Sequence, residues 1–236
     1  MKRFFKKLIF GKNPSSEISA RSVIDKRIHN IRSIWNNEQE EDIGIEKLLR
    51  LFLGLSQFLF PGIYIKHYIG GRKLLYQEIT VDLYVLFKIA FAFGIIYNGR
   101  QDNDILVWIV IFFMAETLLH IPTLIFASDI FSRPRSYRRS MLLLFFNYIE
   151  IVFAFAVLYS SGDYMNQAFK HWFDPIYFSF ISGATVGFGD FYPITPIGKM
   201  LVSFQVVIFI IFAALFLNFF SNKVESKGYF DHTREF

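Results

Sequence analysis

No cysteine occurs in the 236 residues, which excludes disulfide frameworks, thiolate nucleophiles and cysteine-ligated zinc or iron-sulfur sites. Charge is scarce as well: 19% of residues are charged against 53% hydrophobic, with 31 phenylalanines, a balance foreign to ordinary soluble domains. His29, His67, His171 and His232 are scattered and suggest no metal site. No nucleophile and base pair or metal cluster falls within the apolar segments, so an enzyme is not expected. The net charge of +5 could suit a nucleic acid, but the basic residues stand beside apolar runs, where they read as topology signals. The expected partner is membrane lipid, and no nucleic acid.

What the chain has instead is apolar length. Residues 79–98, 104–127, 141–160 and 196–220 are each close to the ~20 residues that a helix needs to cross the hydrocarbon. Residues 1–47 are mostly polar, with helix-start chemistry at Ser15, Ser16 and Glu17 and an acidic cluster at 38–42, and read as a cytoplasmic helical segment. The start, MKRFFKKLIFGK, has a basic head but a short apolar core and no small-residue cleavage site, so an interfacial anchor is expected rather than a removed signal. A fifth run, 48–65, is interrupted by Arg50, Gln57 and a Pro61-Gly62 break and reads as an interfacial or re-entrant apolar helix.

Basic residues set orientation, because lysine and arginine near membrane segments stay on the cytoplasmic side. The 129–140 linker holds Arg133, Arg135, Arg138 and Arg139, and 66–78 holds Lys66, Arg72 and Lys73, whereas 99–103 has only Arg100 and 161–195 only Lys170. The first two face inward and the last two outward. A multi-pass protein of the cell membrane with both termini cytoplasmic follows: two spans within 79–128, the basic linker 129–140, a second pair within 141–220, and a short tail at 221–236. The arginine linker is also a candidate contact for anionic lipid head groups. No span carries arginine at every third position, so an arginine-ladder voltage sensor is not expected. The tail is too short to fold as a ligand-binding domain. Asp82, Lys88, Glu116, His120 and Glu150 lie inside the apolar runs, where ionisable groups are costly. Pairing that holds helices together is favoured over a relay, with Glu116 and His120 sharing one helix face.

The stretch HWFDPIYFSFISGATVGFGDFYP between the last two spans is too interrupted to cross and too apolar for a simple outer loop. It is expected to enter the bilayer and return. Asp174 and Pro175 offer a helix start, the aspartate accepting from first-turn amides and proline suiting the first helical position, for a helix over about 175–184. Non-helical backbone at membrane depth is tolerated only where it lines a path or is buried in protein. Gly187 and Gly189 permit backbone conformations closed to other residues, so carbonyls of Thr185, Val186, Gly187 and Phe188 can turn to one side. A phosphate cradle would need a strand before, a helix after and a nearby lysine, and Lys199 is ten residues past Gly189.

The stretch DPIYFSFISGATVGFGDFYPITPIGKM, Asp174 to Met200, resembles the pore loop and inner-helix start of the tetrameric potassium channels, and the resemblance extends over about 140–220. It implies an all-α membrane protein with a two-helix pore module, a re-entrant pore helix and a filter, preceded by two further transmembrane helices and the N-terminal segment. One loop per chain implies a homotetramer. In that family potassium passes rings of oxygens, here implied at Thr185, Val186, Gly187, Phe188 and Gly189, with K+ at the first four and Asp190 at the filter mouth. A passive potassium-selective channel is thus expected, with a non-selective cation channel or a potassium-transporter subunit as alternatives. Gln205, Phe209, Ala213 and Phe216, three or four apart, are expected to share a face lining the inner path, with Phe209 or Phe216 as a hydrophobic gate. The chain departs from the family at Phe188, often tyrosine; at Ala184, usually threonine; at Ile181, a bracing glutamate in some relatives; and at Phe209, often a hinge glycine.

Overall fold

A computed structural model describes residues 23–37, 43–70, 74–126 and 137–225. The start of the chain through Ser22, the acidic cluster, Arg72, Lys73, Arg133, Arg135 and the tail from 226 lie outside the described residues. The described residues form α1 (Val23–Trp35), α2 (Ile45–Ser56) followed by a 3-10 turn (Gln57–Leu59), α3 (Pro61–Tyr68), α4 (Leu74–Tyr97), α5 (Asp104–Phe126), α6 (Tyr137–Ser160), α7 (Asp174–Gly183) and α8 (Pro196–Glu225). Among them no strand forms, only an antiparallel bridge between Met165 and Pro193. The fold is all-helical.

Among the described residues four helices, α4, α5, α6 and α8, are long and apolar enough to cross a membrane. They begin or end beyond the apolar runs: α4 starts at Leu74 rather than 79, α6 at Tyr137 rather than 141, and α8 continues to Glu225. Hydropathy marks the oily portion, whereas the helix continues until glycine, proline or a cap stops it. The turn between α4 and α5 shows such stops. Gly99, with φ 62°, ends α4 as Arg100 N–H donates to Ile95 O and Gly99 N–H to Ile96 O, the double bond of a glycine C-cap. Asn103 Oδ1 then accepts from Ile105 and Leu106 amides and starts α5.

The chain divides into two compact units, 1–86 with 115–133, and 87–114 with 134–236. In the first, α1 packs on α2 and α3. Gly54 permits the approach, since a Cβ there would stand 3.1 Å from the Ile31 side chain. Arg50 is buried on this side of α2. Ile45, Leu48, Phe52, Leu55 and Leu59 are exposed, and their spacing places them on one stripe. The run bends by 62° between Leu59 and Pro61. Just past the bend, the Gly62 amide donates to Glu116 Oε1 at 3.0 Å, and the Tyr84 hydroxyl donates to Glu116 Oε2 at 2.6 Å. The carboxylate on α5 therefore caps α3 and ties it to α4. Replacing it by leucine leaves two donors unsatisfied, each costing ~1–3 kcal/mol if buried. Glu116→Leu is expected to lower the thermal midpoint of the purified protein, and Glu116→Gln, which keeps an acceptor, to lower it less.

In the second unit α6 packs against both α7 and α8. Lipid gives no hydrophobic drive for one apolar helix to leave it for another, so close packing and polar bonds hold such bundles. Ile151, Val152, Phe155, Ala156 and Val157 on α6, Ile176 and Phe178 on α7, and Phe212 on α8 are all nearly inaccessible. Phe93 on α4 meets Phe153 and Trp172 edge-on at 5.9 and 5.7 Å. Lys88 on α4 forms an ion pair with Glu150 on α6 at 3.0 Å, the side chains 4% and 2% exposed.

Candidate functional site

At about 1.5 Å per residue the ten residues of α7 span ~15 Å, half the ~30 Å hydrocarbon thickness. Its start differs from expectation. Asp174 is the first helical residue, and its Oδ2 accepts from the Lys170 and His171 amides, both at 2.8 Å, rather than from first-turn amides. The aspartate has entered the helix with Phe173 as its cap residue, so its side chain reaches back to the preceding turn. It still places negative charge at the positive end of α7.

After Gly183 the backbone turns sharply. Ala184 N–H still bonds Phe180 O at 2.9 Å, and Ile181 O accepts from Val186 at 2.9 Å and from Gly187 at 3.4 Å. Thr185, Gly187 and Gly189 then have φ of 56°, 54° and 83°, while Val186 and Phe188 between them do not. The sequence pointed to the glycines but not to Thr185. A β-branched residue in this region is strained by ~1–2 kcal/mol, and no local pattern announces it. Residues 184–190 are all exposed in the single chain, Val186 by 53% and Phe188 by 71%.

The segment beyond is clamped by two residues to which sequence reasoning gave no role. Asn166 Nδ2 and Gln167 Nε2 donate to Asp190 O at 3.2 and 3.1 Å. Asn166 Oδ1 accepts from the Tyr192 amide, and its own amide donates to Tyr192 O, both at 2.9 Å. Only the fold brings this loop to the segment after Gly189, so nothing in the residue pattern could reveal it. Partial burial, and then the Asp190 carboxylate that accepts a hydrogen bond from it, hold the Tyr177 phenol above its ordinary range. It therefore stays a donor throughout neutral pH. Asn166→Ala removes the two side-chain bonds of the clamp and keeps the backbone one, each lost bond worth ~0.5–1.5 kcal/mol. A midpoint lowered by a few degrees is expected in thermal melts, and no shift would contradict the clamp.

Past the clamp, Thr195 Oγ1 accepts from the Gly198 amide at 3.1 Å and Pro196 opens α8, a hydroxyl cap with proline in the first turn. Gly198 is needed because a Cβ there would lie 3.1 Å from Tyr164 O. On α8 the expected stripe divides. Gln205 is 2% exposed and lies on the buried face with Ile208, Phe212 and Leu215, turned into the subunit, apart from the other three residues. Spacing alone could not register which face turns toward the other helices. Phe209, Ala213 and Phe216 are half-buried, with Phe209 6.0 Å from the Tyr148 ring. Ile210, Ala214 and Leu217 form the exposed side. Of the linker arginines, Arg138 and Arg139 fall on the first turn of α6.

Residues 142–226 match a family model described as an ion channel. This part of the chain is similar to ion channels, and the apolar helices support a membrane protein. A protein of Methanocaldococcus jannaschii described as a hyperpolarization-activated voltage-gated potassium channel is 37% identical over 70 residues, which supports the potassium-channel family that the loop resembles. That match covers 29% of this chain and 34% of the relative, so the chain spans about a third of the relative's length. No solved structure matches.

Proposed function

We propose that the protein is a passive potassium-selective channel in which four copies gather Thr185, Val186, Gly187, Phe188 and Gly189 around one path. The observation that carries this reading is the left-handed backbone at alternate positions 185, 187 and 189. Where the hand of the backbone alternates residue by residue, successive peptide planes face the same way and their carbonyls form one row. Four such rows make rings of oxygens that replace the water around a potassium ion. A single row cannot surround an ion, and the exposure of Val186 and Phe188 leaves room for neighbouring copies. The carbonyl end of α7 adds negative potential at the inner end of the row, and Asp190, held by Tyr177, stands at the outer one.

In this arrangement Ile210, Ala214 and Leu217 border the inner path, with Phe209, Ala213 and Phe216 at its margin. The basic linker and both termini face the cytoplasm of a cell membrane, and Arg138 and Arg139 meet anionic lipid. The bent run α2–α3 is re-entrant. Glu116, which holds the bend, is twelve residues from one end of α5 and ten from the other, ~15–18 Å at the helical rise, and so near the middle of the bilayer.

Purified protein in liposomes is expected to admit rubidium, a potassium substitute, while excluding sodium, and to show four copies by native mass spectrometry. A stable monomer, or equal uptake of both ions, would overturn the proposal.

A further inference from the structure

Where α6, α7 and α8 cross behind the Thr185–Gly189 stretch, four residues form a continuous hydrogen-bonded chain. The Tyr159 hydroxyl donates to Gln205 Oε1 at 2.6 Å. Gln205 Nε2 donates to Ser179 O at 2.9 Å and to Ser179 Oγ at 2.8 Å. Ser179 Oγ in turn donates to Val152 O at 2.7 Å. Tyr159 and Ser179 are fully inaccessible and Gln205 nearly so.

The chemistry admits few substitutes for Gln205. The serine proton is committed to α6, so its oxygen faces α8 as an acceptor, while the tyrosine presents a donor. A carboxamide carries one acceptor and one donor group and satisfies both neighbours. A carboxylate would set an oxygen against Ser179 O, and a hydrocarbon would remove the acceptor of the buried Tyr159 hydroxyl and the donor to Ser179 O and Oγ. Among the buried residues of α8 whose side chains are described, Gln205 alone is polar, in a helix where lipid-like side chains would pack without any such requirement.

Its position gives the amide leverage. It grips α7 at Ser179, and a Cβ on Gly183, one turn further, would lie 3.2 Å from the same Nε2. Ala184 follows directly, and Phe180 O and Ile181 O bond the amides of 184 and 186. Any shift of α7 against α8 is therefore passed on to the backbone at 185–189.

We propose that Gln205 is a positioning residue for ion selection, an amide that sets the height and rotation of α7 against α8 and couples movement of α8 to the oxygen rings. The proposal rests on the reading of Thr185–Gly189 as the filter. Oxygen rings discriminate ions by their spacing or field strength, and a displaced α7 alters both.

The test uses the full chain in liposomes, with reversal potentials recorded for potassium against sodium. Gln205→Met keeps length without the amide, and Tyr159→Phe removes one hydroxyl. The potassium-to-sodium permeability ratio is expected to fall about tenfold in the first and severalfold in the second, as for a lost buried bond. The double variant is expected to be no worse than Gln205→Met, since both act through one chain of bonds. Should Gln205→Met not assemble, Tyr159→Phe still decides. A selective wild type with an unchanged ratio in the variants, even with a lowered melting temperature, overturns this proposal alone. A wild type that does not distinguish the ions overturns the filter reading and this proposal with it.

Discussion

Gly187→Ala is expected to reduce potassium flux to background while the protein still folds. At φ 54° an alanine is disfavoured by ~1–2 kcal/mol relative to the right-handed region. Nothing lies within 4 Å of the added methyl in the single chain, so the effect is one of backbone preference and not of a clash within the subunit. Relaxing that preference breaks the alternation between Thr185 and Gly189 and turns a carbonyl out of the row. Gly94 provides the control, because a Cβ there also meets nothing within 4 Å but Gly94 lies within α4 without a positive φ. Gly94→Ala should conduct as wild type. Rubidium uptake separates the outcomes, and undiminished uptake in Gly187→Ala would count against the site.

The second large effect concerns stability. Glu150→Leu removes the partner of a lysine that is 4% exposed within a membrane span, and breaking such a pair from one side costs roughly 3–5 kcal/mol. Lys88→Met alone is milder, because the remaining glutamate can take up a proton and become neutral. The combined variant Lys88→Met with Glu150→Leu replaces the pair by apolar side chains and should recover most of the loss, as buried pairs often contribute little net stability over such replacements. Thermal melts of detergent-purified protein, followed by size-exclusion chromatography, read this order. A double variant as unstable as Glu150→Leu would show that the two side chains do not act as a pair.

The spans and the loop between the last two were legible because hydropathy over ~20 residues and glycine within an apolar context are local signals. Helix ends were less so: polar residues such as Gln77 and Glu78 continue α4 since no stop signal intervenes. What sequence could not supply was registration across elements. The inward turn of Gln205, the grip of Asn166 on Asp190 O, the capping of Gly62 by Glu116 and the pairing of Lys88 with Glu150 each join residues at least 24 positions apart. Glu116, Lys88 and Glu150 were visible as costly in apolar segments, but their partners were set by packing alone, whereas Asn166 carried no such signal and Gln205 was expected on the face lining the inner path. Thr185 is the local exception: its backbone hand is imposed by the turn that follows Gly183.

The account turns on backbone oxygens standing in for water around a dehydrated potassium ion. Its most direct measurement is the reversal potential of the wild-type protein in planar bilayers, with potassium on one side and sodium on the other. The account predicts a steady current that reverses far from zero, in the direction of strong potassium preference. Reversal close to zero, or no current from well-folded protein, would contradict it.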